Sequence, residues 1–284
     1  MTIKSVGIAG CGIMGGGIAQ VCASHGYDVS VLEVNQQLLD KGLAGIKRRL
    51  GRDVERGRLP QEDCDGTLGR LKGTTDMQDL SACDLVIEAV VEDPPTKQQF
   101  FDELGRVCKA EAILASNTSS LSLSTMAAAS GRPEKVVGLH FFNPPMILRL
   151  VEVISTESAS QDTIDAAVAF CDSIDRVVVR TKDTPGFIVN RLLVPFVFDA
   201  IRLVESGTAT AEDVDQACKA GLNHVMGPIA TADLVGLDTL AHIGESMFEE
   251  YGEPRFKAPT MLRRMVSLGY LGRKSGKGFF DYGA

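Results

Sequence analysis

His140 closes the apolar run Val136-Val137-Gly138-Leu139. It is followed by Phe141-Phe142-Asn143-Pro144-Pro145 and then by a second apolar run that carries Glu152. A strand, a proline-stiffened loop and a returning strand can bring two such residues side by side. Imidazole titrates near neutrality, so it can take a proton from a hydroxyl and give it back. A carboxylate on the far ring nitrogen fixes the tautomer and steadies the imidazolium that forms. This is the acid–base half of an alcohol oxidation, whose other half is a hydride acceptor. A satisfied core histidine beside a surface glutamate fits the same two residues. The remaining histidines offer less: His25 stands next to Gly26 at the end of a helical stretch, and His224 and His242 have no acid in a fixed relation.

A site for the hydride acceptor is written near the start of the chain. Gly10, Gly12 and Gly15 form a Gly-x-Gly-x-x-Gly loop directly after the apolar run Ser5–Ala9, and Ile13 and Met14 lie inside it. The first glycine allows a tight turn and the second lets the backbone approach a pyrophosphate. The third brings helix and strand close, so the phosphates would rest on the N–H groups that open the helix. Glu33 ends the next strand, where a carboxylate accepts hydrogen bonds from the adenosine ribose and repels a 2′-phosphate, which selects NAD over NADP. A glycine-rich structural turn with a capped strand is the competing reading. Further along, Glu92 and Lys97 follow the apolar run Leu85–Val91, and Asn117 and Ser119 lie in Ser116-Asn117-Thr118-Ser119-Ser120 after another. Ligands of open α/β sheets bind beyond the carboxyl ends of the strands, so these residues face one crevice. Each, taken singly, serves equally well as a helix cap or turn residue.

The elements that must position them alternate. Strand-like runs at Ser5–Ala9, Asp28–Glu33, Asp84–Ala89, Ala112–Ala115, Val136–Phe141 and Leu150–Ile154 are separated by helical stretches at Gly16–Ser24, Gln37–Gly57, Thr96–Cys108 and Leu121–Ser130. Such alternation predicts βαβ units and a mainly parallel sheet. The pattern changes at Asp183-Thr184-Pro185-Gly186, which is turn chemistry. Beyond it the apolar spacing is helical, over Phe187–Val204, Ala211–Ala220, Thr231–Val235, Leu240–Glu250 and Thr260–Ser267. The expected architecture is an α/β Rossmann-type domain over residues 1–183 and an all-α domain over 184–284. Phe187–Val204 has more apolar face than one small domain can bury, which points to a homodimer formed through the helical part.

Composition narrows the setting. The 284 residues are 44% hydrophobic and 23% charged, as in ordinary globular proteins. Seven scattered cysteines with no Cys-x-x-Cys pair argue against a disulfide framework or a metal site and for a reducing, cytoplasmic location. No apolar run is long enough to span a bilayer, and the first residues lack a signal-peptide pattern. A net charge of −8 argues against nucleic acid as a partner, though it leaves room for a local basic patch.

Taken in order, the motifs GIAGCGIMGGGIAQ, DLVIEAVVED, ASNTSSLSL, GLHFFNPP, LVEVI, KDTPGFIVNRLLVPFVFDAIRLVESG and GRKSGKGFFDY resemble those of the L-3-hydroxyacyl-CoA dehydrogenase family across nearly the whole chain. The resemblance implies that His140 is the base, Glu152 its partner, and Ser119 a donor to the substrate's 3-oxygen. It implies that Asn190 reaches the substrate from the helical domain, and that Glu92, Lys97 and Asn117 touch NAD, with Asn143 beside His140. It further implies an acyl-coenzyme A substrate, oxidised at a 3-hydroxyl of S configuration. A basic surface for the coenzyme A phosphates is expected on the helix after the second strand, where Arg49, Arg52 and Arg56 recur at i, i+3 and i+7 and so share a face; a solvated charged helix is the plainer account. The loop Asn143–Arg149 departs from the family pattern: Arg149 stands where many relatives have lysine, and Asn-Pro-Pro also resembles relatives acting on sugar acids. Two rivals therefore stay open, a dehydrogenase of a free hydroxy or sugar acid and a non-catalytic NAD-binding protein.

Overall fold

A computed structural model describes residues 2–119 and 121–283. Internal contacts divide the chain into two compact units, Met1–Asp183 and Thr184–Ala284.

The first unit runs β1 (Ser5–Ala9), α1 (Ile13–Ser24), β2 (Asp28–Leu32), α2 (Gln36–Glu55), α3 (Gln61–Gly69), β3 (Leu71–Thr74), β4 (Leu85–Glu88), α4 (Pro94–Val107), β5 (Ile113–Ser116), α5 (Leu123–Ala129), β6 (Val136–Phe141), β7 (Leu150–Ser155), α6 (Gln161–Ser173) and β8 (Val177–Lys182). Eight strands form one sheet in the order β3-β2-β1-β4-β5-β6-β7-β8. All neighbours are parallel except β6 and β7, which run antiparallel. The central strands β4, β5 and β6 are buried along their whole length, because helices cover both faces of a parallel sheet. Ile18 of α1, Ile46 and Leu50 of α2, and Phe170 of α6 pack into one core with Val6, Ile8, Val29 and Val31. The strand order reverses between β1 and its neighbours β2 and β4, which opens a crevice at their carboxyl ends.

Four elements carried no clear sequence signal. β3 and β8 are edge strands: β3 holds Lys72 and Gly73, and β8 is nowhere fully buried, so neither needs an apolar run. α3 is short and polar. α6 shows one apolar stripe between polar positions, easily lost beside the stronger apolar runs. β4 stops at Glu88, short of the run ending at Val91, because the Glu88 carboxylate turns the chain by accepting the Val90 N–H at 2.7 Å.

The second unit contains α7 (Val189–Glu205), α8 (Ala211–Leu222), α9 (Pro228–Val235), α10 (Leu237–Tyr251) and α11 (Thr260–Ser267). Val194, Val197, Phe198 and Ile201 of α7 recur at helical spacing and pack on Leu237, Leu240, Met247, Phe256 and Leu262. Buried Asp233 accepts the N–H groups of Phe279 and Phe280 at 3.0 and 2.9 Å and the Tyr282 hydroxyl at 3.0 Å, which ties down the last residues. Among the described residues no helix is long and apolar enough to cross a membrane.

Asp84 sets the entry to β1 and gives a pH-dependent prediction. Partial burial opposes its charge. The Lys109 ammonium, the N–H groups of Lys4 and Ser5 and the Ser5 hydroxyl outweigh that and hold the carboxyl down at about 2. A depressed folded value stabilises the fold above the ordinary carboxylate range and loses that contribution as pH falls toward 2. Asp84→Asn is therefore expected to cost about 1–2 kcal/mol at neutral pH, near the low end because the group lies close to solvent. Urea titrations across pH check this: the deficit should close in acid, and a pH-independent deficit would assign the effect to something other than charge.

Candidate active site

The antiparallel register of β6 and β7 pairs His140 directly with Glu152. Both side chains are buried, and His140 Nδ1 lies 2.7 Å from Glu152 Oε2. A carboxylate facing a ring nitrogen accepts, so Nδ1 carries the proton and Nε2 presents its lone pair. Nε2 lies 3.0 Å from Ser119 Oγ, which donates to it from the loop after β5. Two adjacent strand ends and one loop thus build a linear chain, Ser119–His140–Glu152. Its basic nitrogen faces a hydroxyl, where a second hydroxyl could replace serine.

Glu92, Lys97 and Ser119 are brought together, by a group that the sequence reading passed over. Glu88, fully buried at the end of β4, lies 2.5 Å from the buried Lys97 ammonium and accepts the Ser116 hydroxyl at 2.7 Å. Lys97 in turn lies 3.1 Å from Glu92 Oε2. Glu92 Oε1 accepts the Thr118 hydroxyl and, at 3.1 Å, the Ser119 N–H. Burial pushes the Glu92 carboxyl up, but Lys97, the Thr118 hydroxyl and the Ser119 N–H together hold it below the usual carboxylate range. The missed signal was an acid inside the apolar run Leu85–Ala89, which cannot be buried without a cation or several donors. Lys97 is buried, with its ammonium between the buried Glu88 and the partly exposed Glu92. Ser120 lies outside the described residues.

The glycine loop has the geometry of a phosphate cradle. Gly10 takes a positive φ of 90°. A Cβ on Gly15 would stand 1.9 Å from the Gly10 carbonyl oxygen, so no other residue fits there. Gly12, by contrast, meets nothing within 4 Å, which leaves that side open to a ligand. No side chain caps the start of α1 and no acid lies in its first turn, so its N–H groups are available to an anion. Beside the loop lies a cavity of about 550 Å³, lined by Gly10, Gly12, Leu32, Glu33, Val34, Met77 and Phe100 among others. Glu33 stands in its wall and accepts the N–H groups of Cys11 and Val34 at 2.6 and 3.1 Å. A mostly apolar cavity beside a carboxylate and a bare helix N-terminus fits an adenosine diphosphate moiety, so the residues present suit NAD. Ile13 is exposed at the mouth of the loop and Met14 packs against the core.

Other expected contacts fall differently. Asn117 is buried and its Oδ1 accepts the Phe141 N–H at 2.9 Å, so it ties β5 to the end of β6. Asn143 is exposed in the loop after His140 and precedes a cis proline bond. Arg49 leaves the basic face drawn for it: its guanidinium donates to Gln20 Oε1 at 2.9 Å and to the Gly16 carbonyl at 3.3 Å, and so packs α2 on α1. Arg52 and Arg56 remain exposed. Helical spacing could not distinguish these three, because α1 covers only part of that face. Asn190 is buried in the first turn of α7, in the second unit, and its link to a substrate rests on sequence resemblance. Burial raises the thiols of Cys11 and Cys83 to about 11 and of Cys22 to about 12, which makes them poor nucleophiles.

The model for the NAD binding domain of 3-hydroxyacyl-CoA dehydrogenase matches residues 5–184, and that for the C-terminal domain of 3-hydroxyacyl-CoA dehydrogenase matches residues 186–282. A 3-hydroxybutyryl-CoA dehydrogenase of Mycobacterium tuberculosis is 48% identical over 282 residues, 99% of each chain. The crystal structure of FadB2 from M. tuberculosis superposes with a TM-score of 0.98 at 47% identity, covering 100% of both chains. That of (S)-3-hydroxybutyryl-CoA dehydrogenase PaaH1 from Ralstonia eutropha gives a TM-score of 0.96 at 37% identity, again over 100% of both chains.

Proposed function

We propose that this chain, which belongs to the 3-hydroxyacyl-CoA dehydrogenase family, oxidises the 3-hydroxyl of a short (S)-3-hydroxyacyl-CoA such as 3-hydroxybutyryl-CoA, and runs the reverse reduction. The observation that carries the reading is the Ser119–His140–Glu152 chain at the carboxyl edge of a dinucleotide-type sheet. NAD, when bound, supplies the hydride acceptor. Gly10, Gly12 and the start of α1 would hold its pyrophosphate, Glu33 its adenosine ribose, and Glu92 its other half.

The substrate hydroxyl takes the place beside His140 Nε2 that Ser119 holds in this structure. His140 removes the hydroxyl proton as hydride leaves the third carbon, and Glu152 stabilises the imidazolium that results. Ser119 then turns its hydroxyl to the substrate's oxygen and steadies it as it becomes a carbonyl. In reduction, the protonated His140 returns the proton to that oxygen. Arg52 and Arg56 supply an exposed basic surface for the coenzyme A phosphates.

The deciding assay follows NADH consumption with acetoacetyl-CoA beside free acetoacetate. Turnover of the thioester alone supports the coenzyme A reading. Turnover of the free acid, or NADH binding with no turnover, would replace it with the sugar-acid or the non-catalytic reading.

The chain is further read as a cytoplasmic homodimer. Buried, unpaired thiols suit a reducing compartment. On α7, Leu192, Phe196 and Leu203 lie on the side opposite the core with 70%, 37% and 45% of their surface exposed, and Val225 beyond α8 is fully exposed. A second copy would cover this stripe. Leu192→Arg is expected to shift the chain from dimer to monomer in light scattering; an unchanged mass would place the interface elsewhere.

A further inference from the structure

The redox reading gives no role to Glu88, a buried acid at the end of β4. Glu88 has no exposed surface, and its bonds run to Lys97, Ser116 and the Val90 N–H rather than to His140 or Glu152. It nevertheless closes a ring of bonds. From Glu88 Oε1 the path runs to Lys97 Nζ at 2.5 Å and on to Glu92 Oε2 at 3.1 Å. Glu92 Oε1 accepts the Thr118 hydroxyl, the Thr118 N–H donates to Ser116 Oγ at 3.1 Å, and Ser116 Oγ donates back to Glu88 Oε2 at 2.7 Å. Three separate pieces of chain are locked by it: the loop after β4, the first turns of α4 and the loop after β5. The Val90 N–H adds a further anchor to Glu88 at 2.7 Å.

We propose that Glu88 is a positioning residue for the redox site, acting through this ring to aim the Ser119 hydroxyl at His140. The inference rests on the reading of His140 as the base. Ser119 sits on a loop, and loops move unless their polar groups are held. Two ring members hold it: Glu92 takes its N–H at 3.1 Å, and Ser116, the anchor of the same loop, is bonded to Glu88. The ring also explains the charges. Glu88 and the Lys97 ammonium lie away from solvent while Glu92 stays partly exposed, and a buried carboxylate is costly unless its acceptors have donors. Glu88 meets that condition with an ammonium, a hydroxyl and a backbone N–H. A salt bridge serving stability alone would not need to bond the loop that carries Ser119.

Ser116→Ala and Glu88→Gln test this. The first deletes one hydroxyl and keeps every charge, so it decides the matter even if the second does not fold. In either folded variant kcat should fall about 10–100-fold while KM for acetoacetyl-CoA stays within about twofold, since a misplaced donor costs the transition state more than the ground state. The pH profile of kcat should come to match that of Ser119→Ala. A second readout needs no turnover: the nitrogen NMR signal of His140 Nε2 reports the Ser119 bond in the free protein. A wild-type signal and wild-type kcat in folded Ser116→Ala would overturn the positioning role. A displaced Nε2 signal in the variants, with wild-type protein inert toward acetoacetyl-CoA, would sink the functional reading and leave the positioning role standing.

Discussion

His140→Ala should lower kcat in both directions by roughly 10²–10⁴-fold, the range that a positioned general acid–base supplies. The imidazole is the group whose lone pair meets a hydroxyl at the sheet edge: its Nδ1 is taken by Glu152 at 2.7 Å and its Nε2 faces Ser119 at 3.0 Å. Affinity for NADH should change little, because the glycine loop and the adenosine-sized cavity are built from β1, β2, the loop after β4 and the helices α1, α2 and α4, and His140 does not line the cavity. Fluorescence titration of NADH beside steady-state rates separates the two effects. An alanine variant that kept wild-type kcat would show that another group takes the proton. Glu152→Gln should give a smaller loss of the same kind, since the ring keeps a partner but loses the charge that stabilises its protonated form.

The largest effect on stability is expected at Lys97→Met. Methionine matches the length of the aliphatic stem and removes the ammonium that lies 2.5 Å from Glu88 and 3.1 Å from Glu92. Breaking a buried ion pair from one side leaves an uncompensated charge and costs about 3–5 kcal/mol. For a protein of this size that corresponds to a fall in Tm of roughly 6–20 °C. The sign with pH is fixed by Glu92, whose carboxyl is held below its usual range. Its stabilising contribution is present above the ordinary carboxylate range and is lost as pH falls through the depressed value, whereas the variant has already lost the ammonium that holds that value down. The gap between wild type and variant should therefore narrow in acid. Calorimetry at neutral and acid pH measures it, and a gap that widened in acid would contradict the assignment.

Much of the fold was legible because its signals are local. Central strands buried on both faces must be continuously apolar, so β4, β5 and β6 stand out as runs. The Gly10–Gly15 loop was legible for a similar reason: a turn with positive φ and a close backbone approach admit glycine and little else. The edge strands β3 and β8 were not, since a strand with one free side needs no apolar pattern.

Residue types alone gave His140, Glu152 and Glu33 a chemistry, and family resemblance added Ser119 and narrowed the substrate to a 3-hydroxyacyl thioester. Spacing along the chain could not say which nitrogen of His140 is the base; the β6–β7 register decided that by putting Glu152 on Nδ1. Nor could it separate Arg49 from Arg52 and Arg56, because which turns of α2 are covered depends on where α1 lies. The Glu88–Lys97–Glu92 ring is the clearest case of the same limit. Its members come from two strand ends, a helix and two loops, and nothing in their spacing along the chain joins them. A charge becomes a partner only when folding takes it out of water, so burial and distance, which belong to the tertiary structure, are what gave these residues their roles.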